Sequence, residues 1–550
     1  MDYNHTKLRT LPSSDLNDNI EVNDRTGLLH EDQYYNDVDG CQDRRLTVDE
    51  IAESFQCGVF QYLCCAISGL CFTSETLIIQ STSIIVVSAC DLNINSRNRV
   101  WLSTSIALGI AISNIFWGRL GDVFGRRRII LISLSINVVF TLISAFSYNY
   151  SMLIGITFCN GIGSGGVLPV TLAYAIEFFP RKYRGIASSA SNACWCLGSV
   201  YAALMAFWII PQPLKIAFGS ITLVSWRIFA LVCVIPPLLS LIGLSLLPNS
   251  PRFLIKRGKR ERTLRVLATI HNINNSRCCR RQDKQLLSTS IKLSNLPTIE
   301  DIDSDTNENY GTGLNSSKSR IEMVVRKYAI LYSARWRKRS ILLPIIWFLY
   351  SFSTFSVWLW LPTLFSHYIH SKSVDHFQNL SNSSQNIQTL NHSLSCIAKN
   401  HNVIIYRNLL LTSLSVIIIE AIMIPTVNLL GRRLIFSGST IITSICVFCT
   451  PLADTSTGIL VFSCIVAAVS GIGWNMLNVW TSELYPTQLR STSNGFINSC
   501  GRIGVMLGVL TFGLLLQTGY KLPMIMAAVI GFVGGVLSLF LPDTTNADID

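Results

Sequence analysis

Gly118-Arg-Leu-Gly-Asp-Val-Phe-Gly-Arg-Arg-Arg128 and Asn428-Leu-Leu-Gly-Arg-Arg433 are two short basic loops, each following a long apolar run. A second pair follows the same arrangement: Glu177-Phe-Phe-Pro-Arg-Lys-Tyr-Arg184 and Glu483-Leu-Tyr-Pro-Thr-Gln-Leu-Arg490. Gly125 precedes Gly431 by 306 positions, and Glu177 precedes Glu483, and Arg184 precedes Arg490, by the same interval. Two unrelated motifs sharing one offset mark an internal duplication, so the chain consists of two homologous halves. Glycines let short turns bring adjacent helices close, while the arginines hold those turns on one side of a membrane. Asp122 is placed to pair with the neighbouring arginines or to face a helix N-terminus.

Composition supplies the solvent. Of 550 residues, 49% are hydrophobic and only 14% are charged, whereas a soluble domain carries about 25% charged residues. Such a chain has too little polar surface to cover itself in water. The net charge of +12 sits mostly between apolar runs, which argues against nucleic acid as a partner and for lipid. A spanning helix needs about 20 apolar residues. Twelve segments qualify: 58–88, 100–120, 128–148, 151–176, 185–210, 226–247, 340–363, 405–428, 434–452, 456–480, 491–515 and 522–541. With both termini in the cytosol, 35 Lys and Arg fall in cytosolic tails and loops and seven in the outer loops. That bias fixes the orientation.

The resulting organisation is an acidic N-terminal tail (1–56), a six-helix bundle (57–248), a basic cytosolic linker (249–339), a second bundle (340–541) and a short tail (542–550). The tail 1–56 has no apolar core, so targeting falls to the first span. An outer loop, 364–404, carries three glycosylation sequons at Asn379, Asn382 and Asn391. The 17 cysteines lie mainly in apolar runs and read as small hydrophobes. Cys90 and Cys396, both on the outer side, are candidates for a disulfide. No Cys/His cluster has metal-site spacing and no nucleophile–base constellation is present, so an enzyme is a poor reading and no cofactor is implied. On the tail, Leu28-Leu29 and Tyr35-Asn-Asp-Val38 resemble endocytic signals read by sorting adaptors.

Gly118–Arg128 resembles the signature loop of the major facilitator superfamily. The resemblance implies an all-α membrane fold of two pseudo-symmetric six-helix bundles, in which Asp122 belongs to a charge latch holding the halves together at the cytosolic side. Gly118, Gly125, Arg126, Arg127, Glu177, Arg184, Gly431, Arg432, Glu483 and Arg490 make up the two copies of that gating machinery. Pro248-Asn-Ser-Pro-Arg-Phe253 is similar to the motif after span six of sugar porters and organic-ion transporters, with Asn249 in place of an acid. Cys57-Gly-Val-Phe-Gln61, Trp208-Ile-Ile-Pro211, Ser225-Trp-Arg-Ile-Phe229 and Trp474-Asn475 resemble the synaptic vesicle glycoprotein 2 family over residues 58–545. Carried across position by position, that resemblance places cavity aromatics at Trp195 and Trp474. A tyrosine pair falls on Thr354 and Phe355, and one acid on Glu75. Two further acids fall on Ile78 and Asn478.

An ionisable group inside the bilayer costs about 2.5–3.5 kcal/mol on insertion scales, so each requires a purpose. Three stand inside spans: Glu75, Glu420 and Arg502. Glu75, near the middle of span one, is read as a site for a substrate cation or a proton. Glu420 and Arg502, on neighbouring elements of the second half, are read as neutralising one another. The substrate-cavity candidates are therefore Glu75, Trp195, Phe355, Trp474 and Asn478. Two functions fit: alternating-access transport of a small organic solute, or a transporter-fold vesicle-membrane protein with a regulatory or trafficking role. The resemblance implies a vesicle, synaptic-vesicle-like, or the plasma membrane as location.

Overall fold

The computed structural model describes residues 58–92, 98–218, 221–275, 330–378, 403–426, 431–453, 455–485 and 487–543. The tail carrying Leu28, Leu29 and Tyr35, and the sequons at Asn379, Asn382 and Asn391, lie outside the described residues.

Among the described residues, eleven helical stretches are long and apolar enough to cross a membrane. A pair bent by 44°, Arg99–Asn114 and Phe116–Phe124, makes twelve when taken as one span. In the first half the helices are α1 (Val59–Ser88), α2 (Arg99–Phe124), α3 (Arg126–Ser144), α4 (Tyr150–Ile176), α5 with α6 (Arg181–Ala193, Trp195–Ile209), and α7 with α8 (Ser225–Val232, Ile235–Leu246). Short helices α9 (Pro251–Lys256) and α10 (Arg260–Asn275) follow. The second half comprises α11 (Arg337–Gln378), α12 (Val403–Thr426), α13 (Arg432–Cys449), α14 (Ser456–Glu483), α15 (Thr487–Leu515) and α16 (Lys521–Ser538). The sixth span breaks where Pro236 and Pro237 open α8, since proline suits a first helical turn and disrupts an interior one.

Helix α11 continues to Gln378, so the outer loop begins later than the 364 expected from hydropathy. Pro362 lies inside this helix without ending it, and buried Phe365 and Ser366 carry the packing past it. A two-stranded antiparallel hairpin, β1 (Lys215–Phe218) and β2 (Ile221–Val224), caps the outer side between the fifth and sixth spans.

The duplication persists in three dimensions. Gly125 and Gly431 both have positive φ, 99° and 79°, a conformation that glycine adopts without steric cost. Beside them, Arg126 binds Glu177 at 2.5 Å and Arg432 binds Glu483 at 2.7 Å. Asn149 and Thr455 cap α4 and α14 with their side-chain oxygens, each filling one orphan amide. Every one of these pairs of positions is 306 apart. Gly198 and Gly504 share the offset as well. A Cβ at either would strike a neighbouring helix backbone, at the Thr73 carbonyl or the Phe348 carbonyl. Such small residues are what let membrane helices approach closely.

The inner end is defined here as the end from which 249–339 leaves. At the outer end both halves share one hydrophobic core, running from Ile84 and Val100 to Trp360, Tyr406 and Phe512. At the inner end each half keeps its own. Phe60, Ile130, Tyr174 and Leu267 form one, and Trp347, Phe436, Trp480 and Tyr485 the other. The halves are thus sealed together on the outer side and packed separately on the inner side.

Two local devices brace the first half. At the outer end Asp91 accepts from Trp226 Nε1 at 2.6 Å and from Arg227 at 2.9 Å, while Arg227 also donates to the Ala145 carbonyl. This clamp explains a charge at the edge of the sixth span. Neighbouring Cys90 is disulfide-bonded; its expected partner, Cys396, lies outside the described residues. At the inner end Ser250 caps α9, Pro251 occupies its first turn, and the Tyr174 hydroxyl donates to the Pro248 carbonyl at 2.6 Å. Phe253 then lies directly beneath Gly125, which ties the Pro248–Phe253 motif to the signature loop.

Candidate functional site

Midway along the helices, three connections cross between the halves. Glu75 on α1 pairs with Arg502 on α15, Nη2 to Oε1, at 3.3 Å. The two side chains are 1% and 10% exposed, so the pair is held away from water. Glu75 Oε2 has no hydrogen-bond partner. The expectation that Arg502 neutralises Glu420 is therefore corrected: its partner is Glu75, in the other half. Beside the guanidinium lies a small apolar cleft bordered by Ile79, Ile106, Phe355 and Val505.

The second connection is aromatic. Trp195, at the start of α6, meets three rings of the second half. Trp358 lies 5.3 Å from it between centroids, Phe355 6.4 Å in an edge contact, and Trp474 6.4 Å with planes only 25° apart. Phe355 and Trp474 touch edge-on at 5.4 Å, and Trp347 meets Trp474 from the far side. Such geometries suit ring quadrupoles. Trp474 Nε1 is buried without an acceptor. Trp195, Phe355 and Trp474 were all anticipated; Trp358 was not, although its i, i+3 spacing from Phe355 on one helix places both on one face. Trp358 also borders a small cavity of about 40 Å³ inside the second half, lined by Thr354, Tyr368, Ser463 and Tyr520 among others.

The third connection is polar and was missed from sequence. Asn192 on α5 donates its side-chain amide to the Asn475 side-chain carbonyl. Asn475 in turn donates to Glu420 Oε2 at 2.5 Å. Both asparagines lie one turn or less inward of the tryptophans, and nothing in their local pattern distinguishes them from helix-packing amides. Asn478 instead donates to the Trp474 carbonyl within its own helix, at 2.8 Å.

The residues expected to gate the halves form contacts within each half. Asp122, expected in a latch between halves, pairs with Arg126 of its own half at 3.4 Å, and its side chain is 72% exposed. Arg127 donates to the Leu244 and Ser245 carbonyls, and Arg184 to the Phe179 carbonyl. These bonds tie loops to neighbouring helices. Gly118 faces open space, and the side chain of Arg490 lies outside the described residues.

The chain matches the family model of the Major Facilitator Superfamily over residues 64–382 and 401–549. The chain belongs to that superfamily. It is accordingly a multi-pass membrane protein. Among curated relatives, synaptic vesicle glycoprotein 2C of Mus musculus is 25% identical, covering 91% of this chain and 82% of its own length. Synaptic vesicle glycoprotein 2B of Homo sapiens is also 25% identical, over 88% and 84%. Among solved structures, the xylose transporter XylE from E. coli in a partially occluded inward-open conformation superposes with a TM-score of 0.59. It is 16% identical and covers 89% of this chain and 98% of the transporter. Its inward-open form gives 0.57. At these identities the structures speak to fold alone.

Proposed function

We propose that this protein carries a small organic solute across a membrane by rocking its halves about the site between Trp195, Trp474 and the Glu75–Arg502 pair. The observation that carries this is the asymmetry of packing: one core shared by both halves outside, two separate cores inside. Alternating access requires a seal on one side of a fixed midplane site, and that arrangement supplies one.

Purified protein in sealed vesicles, presented with panels of sugars, organic cations and organic anions, should show saturable uptake of at least one class. Uptake no greater than in empty vesicles across all three would overturn the proposal. We further place the protein in a vesicle membrane, from its likeness to synaptic vesicle glycoproteins. The likeness of Leu28-Leu29 and Tyr35-Asn-Asp-Val38 to adaptor-read signals supports this location. Replacing Leu28 and Leu29 by Ala should then move the protein to the cell surface; unchanged sorting contradicts it.

A further inference from the structure

Among the ionisable side chains described inside the spans, Glu75 and Arg502 answer each other, whereas Glu420 does not have a cation. Its one hydrogen bond is from the Asn475 amide, and no ion pair involves it among the described residues. The titratable groups near enough to feel its charge are Cys196 and Tyr350, neither of which supplies a positive charge. Glu420 is half-buried. It sits on α12 where that helix faces α6 of the other half, beside the residues that follow Trp195 and Trp474 in the chain. A carboxylate at this depth carries an insertion cost that a counter-charge offsets.

We propose that Glu420 is the cation subsite of the cavity, and that the solute is an organic ammonium bearing an aromatic or apolar body. The ammonium lies against Glu420 while the body packs on the Trp195–Trp474 rings. This deepens the transport reading above and rests on it for the location of the site. Three observations favour an ammonium over other cations. No group of three His, Cys, Asp or Glu able to hold a metal occurs among the described residues. The Trp195–Trp474 ring pair belongs to the residues that adjoin Cys196 and Asn475 beside Glu420, and aromatic rings attract alkylammonium groups more strongly when water is excluded. Asn475 holds Glu420 Oε2, while Oε1, which lies over Gly471, accepts no hydrogen bond among the described residues and remains the acceptor for a ligand.

The test uses full-length protein in lipid nanodiscs and two probes of equal shape, 2-phenylethylammonium and 2-phenylethanol, read by tryptophan fluorescence. The ammonium should bind saturably and about tenfold or more tightly than the alcohol. Glu420→Gln should erase that preference, and Glu420→Asp should keep most of it. Equal binding of both probes, binding of neither, or a preference that survives in Glu420→Gln overturns the proposal. The wild-type comparison stands by itself should Glu420→Gln fold poorly. If vesicles take up a sugar or an anion while both ammonium and alcohol are inert, the transport reading survives and the cation subsite does not.

Discussion

Replacing Arg502 by Met should destabilise the protein by about 3–5 kcal/mol, because it leaves Glu75 as an uncompensated charge in a dry interface. Glu75 is 1% exposed, with one carboxylate oxygen already lacking a partner, so it has no water to fall back on. Glu75→Leu alone should cost a similar amount by stranding the guanidinium, which borders an apolar space. The double replacement Glu75→Leu, Arg502→Met should recover most of the loss, since two apolar side chains of similar volume remove both desolvation penalties together. Equilibrium unfolding of the four proteins in one detergent gives the coupling directly. A coupling below about 1 kcal/mol would mean that the pair is incidental. Because α1 and α15 belong to different halves, the same pair is an attachment between the bodies that must move. The single variants should therefore also shift the balance between inner-open and outer-open states, visible as altered labelling of cysteines introduced on either side.

Much of this architecture was legible. Runs of apolar residues named the spans, and the 306-residue interval between the loop motifs named the halves. The same interval then reappeared in the left-handed glycines, in the Arg126–Glu177 and Arg432–Glu483 pairs and in the two N-caps. Local motifs survive translation into structure because short-range geometry generates them. The pairing of Arg502 with Glu75 is different in kind. The two are 427 residues apart, and their meeting depends on the rotation of helices in opposite halves, which packing sets and hydropathy does not. Proximity in sequence pointed Arg502 at Glu420, and packing chose otherwise. Helix α11 outlasted its hydrophobic stretch for a related reason: once begun, a helix continues on backbone hydrogen bonds, so the polar run that begins at His370 does not end it. The Asn192–Asn475–Glu420 chain carried no signature at all, since each amide alone reads as ordinary helix glue.

Trp195→Ala should abolish saturable uptake or weaken the apparent affinity for the solute by at least about thirtyfold, equivalent to roughly 2 kcal/mol of ring contact in a desolvated site. Trp195 is the ring that the first half contributes to a cluster otherwise built from Phe355, Trp358 and Trp474 of the second. Removing it strips one wall from the site and also cuts the aromatic attachment between halves, each ring pair being worth about 0.5–1.5 kcal/mol. Trp195→Phe keeps a π-face and should retain measurable uptake with affinity lowered only a few-fold. Trp347 meets Trp474 from behind and bonds Thr481 within its own half. Trp347→Phe should therefore affect thermal stability more than solute affinity. The contrast between the two positions is the informative readout. A purely structural role for Trp195 would make Trp195→Ala and Trp347→Phe lose uptake in proportion to their loss of stability. A role in the site predicts an affinity defect at Trp195 that persists after both proteins are compared at equal folded fraction.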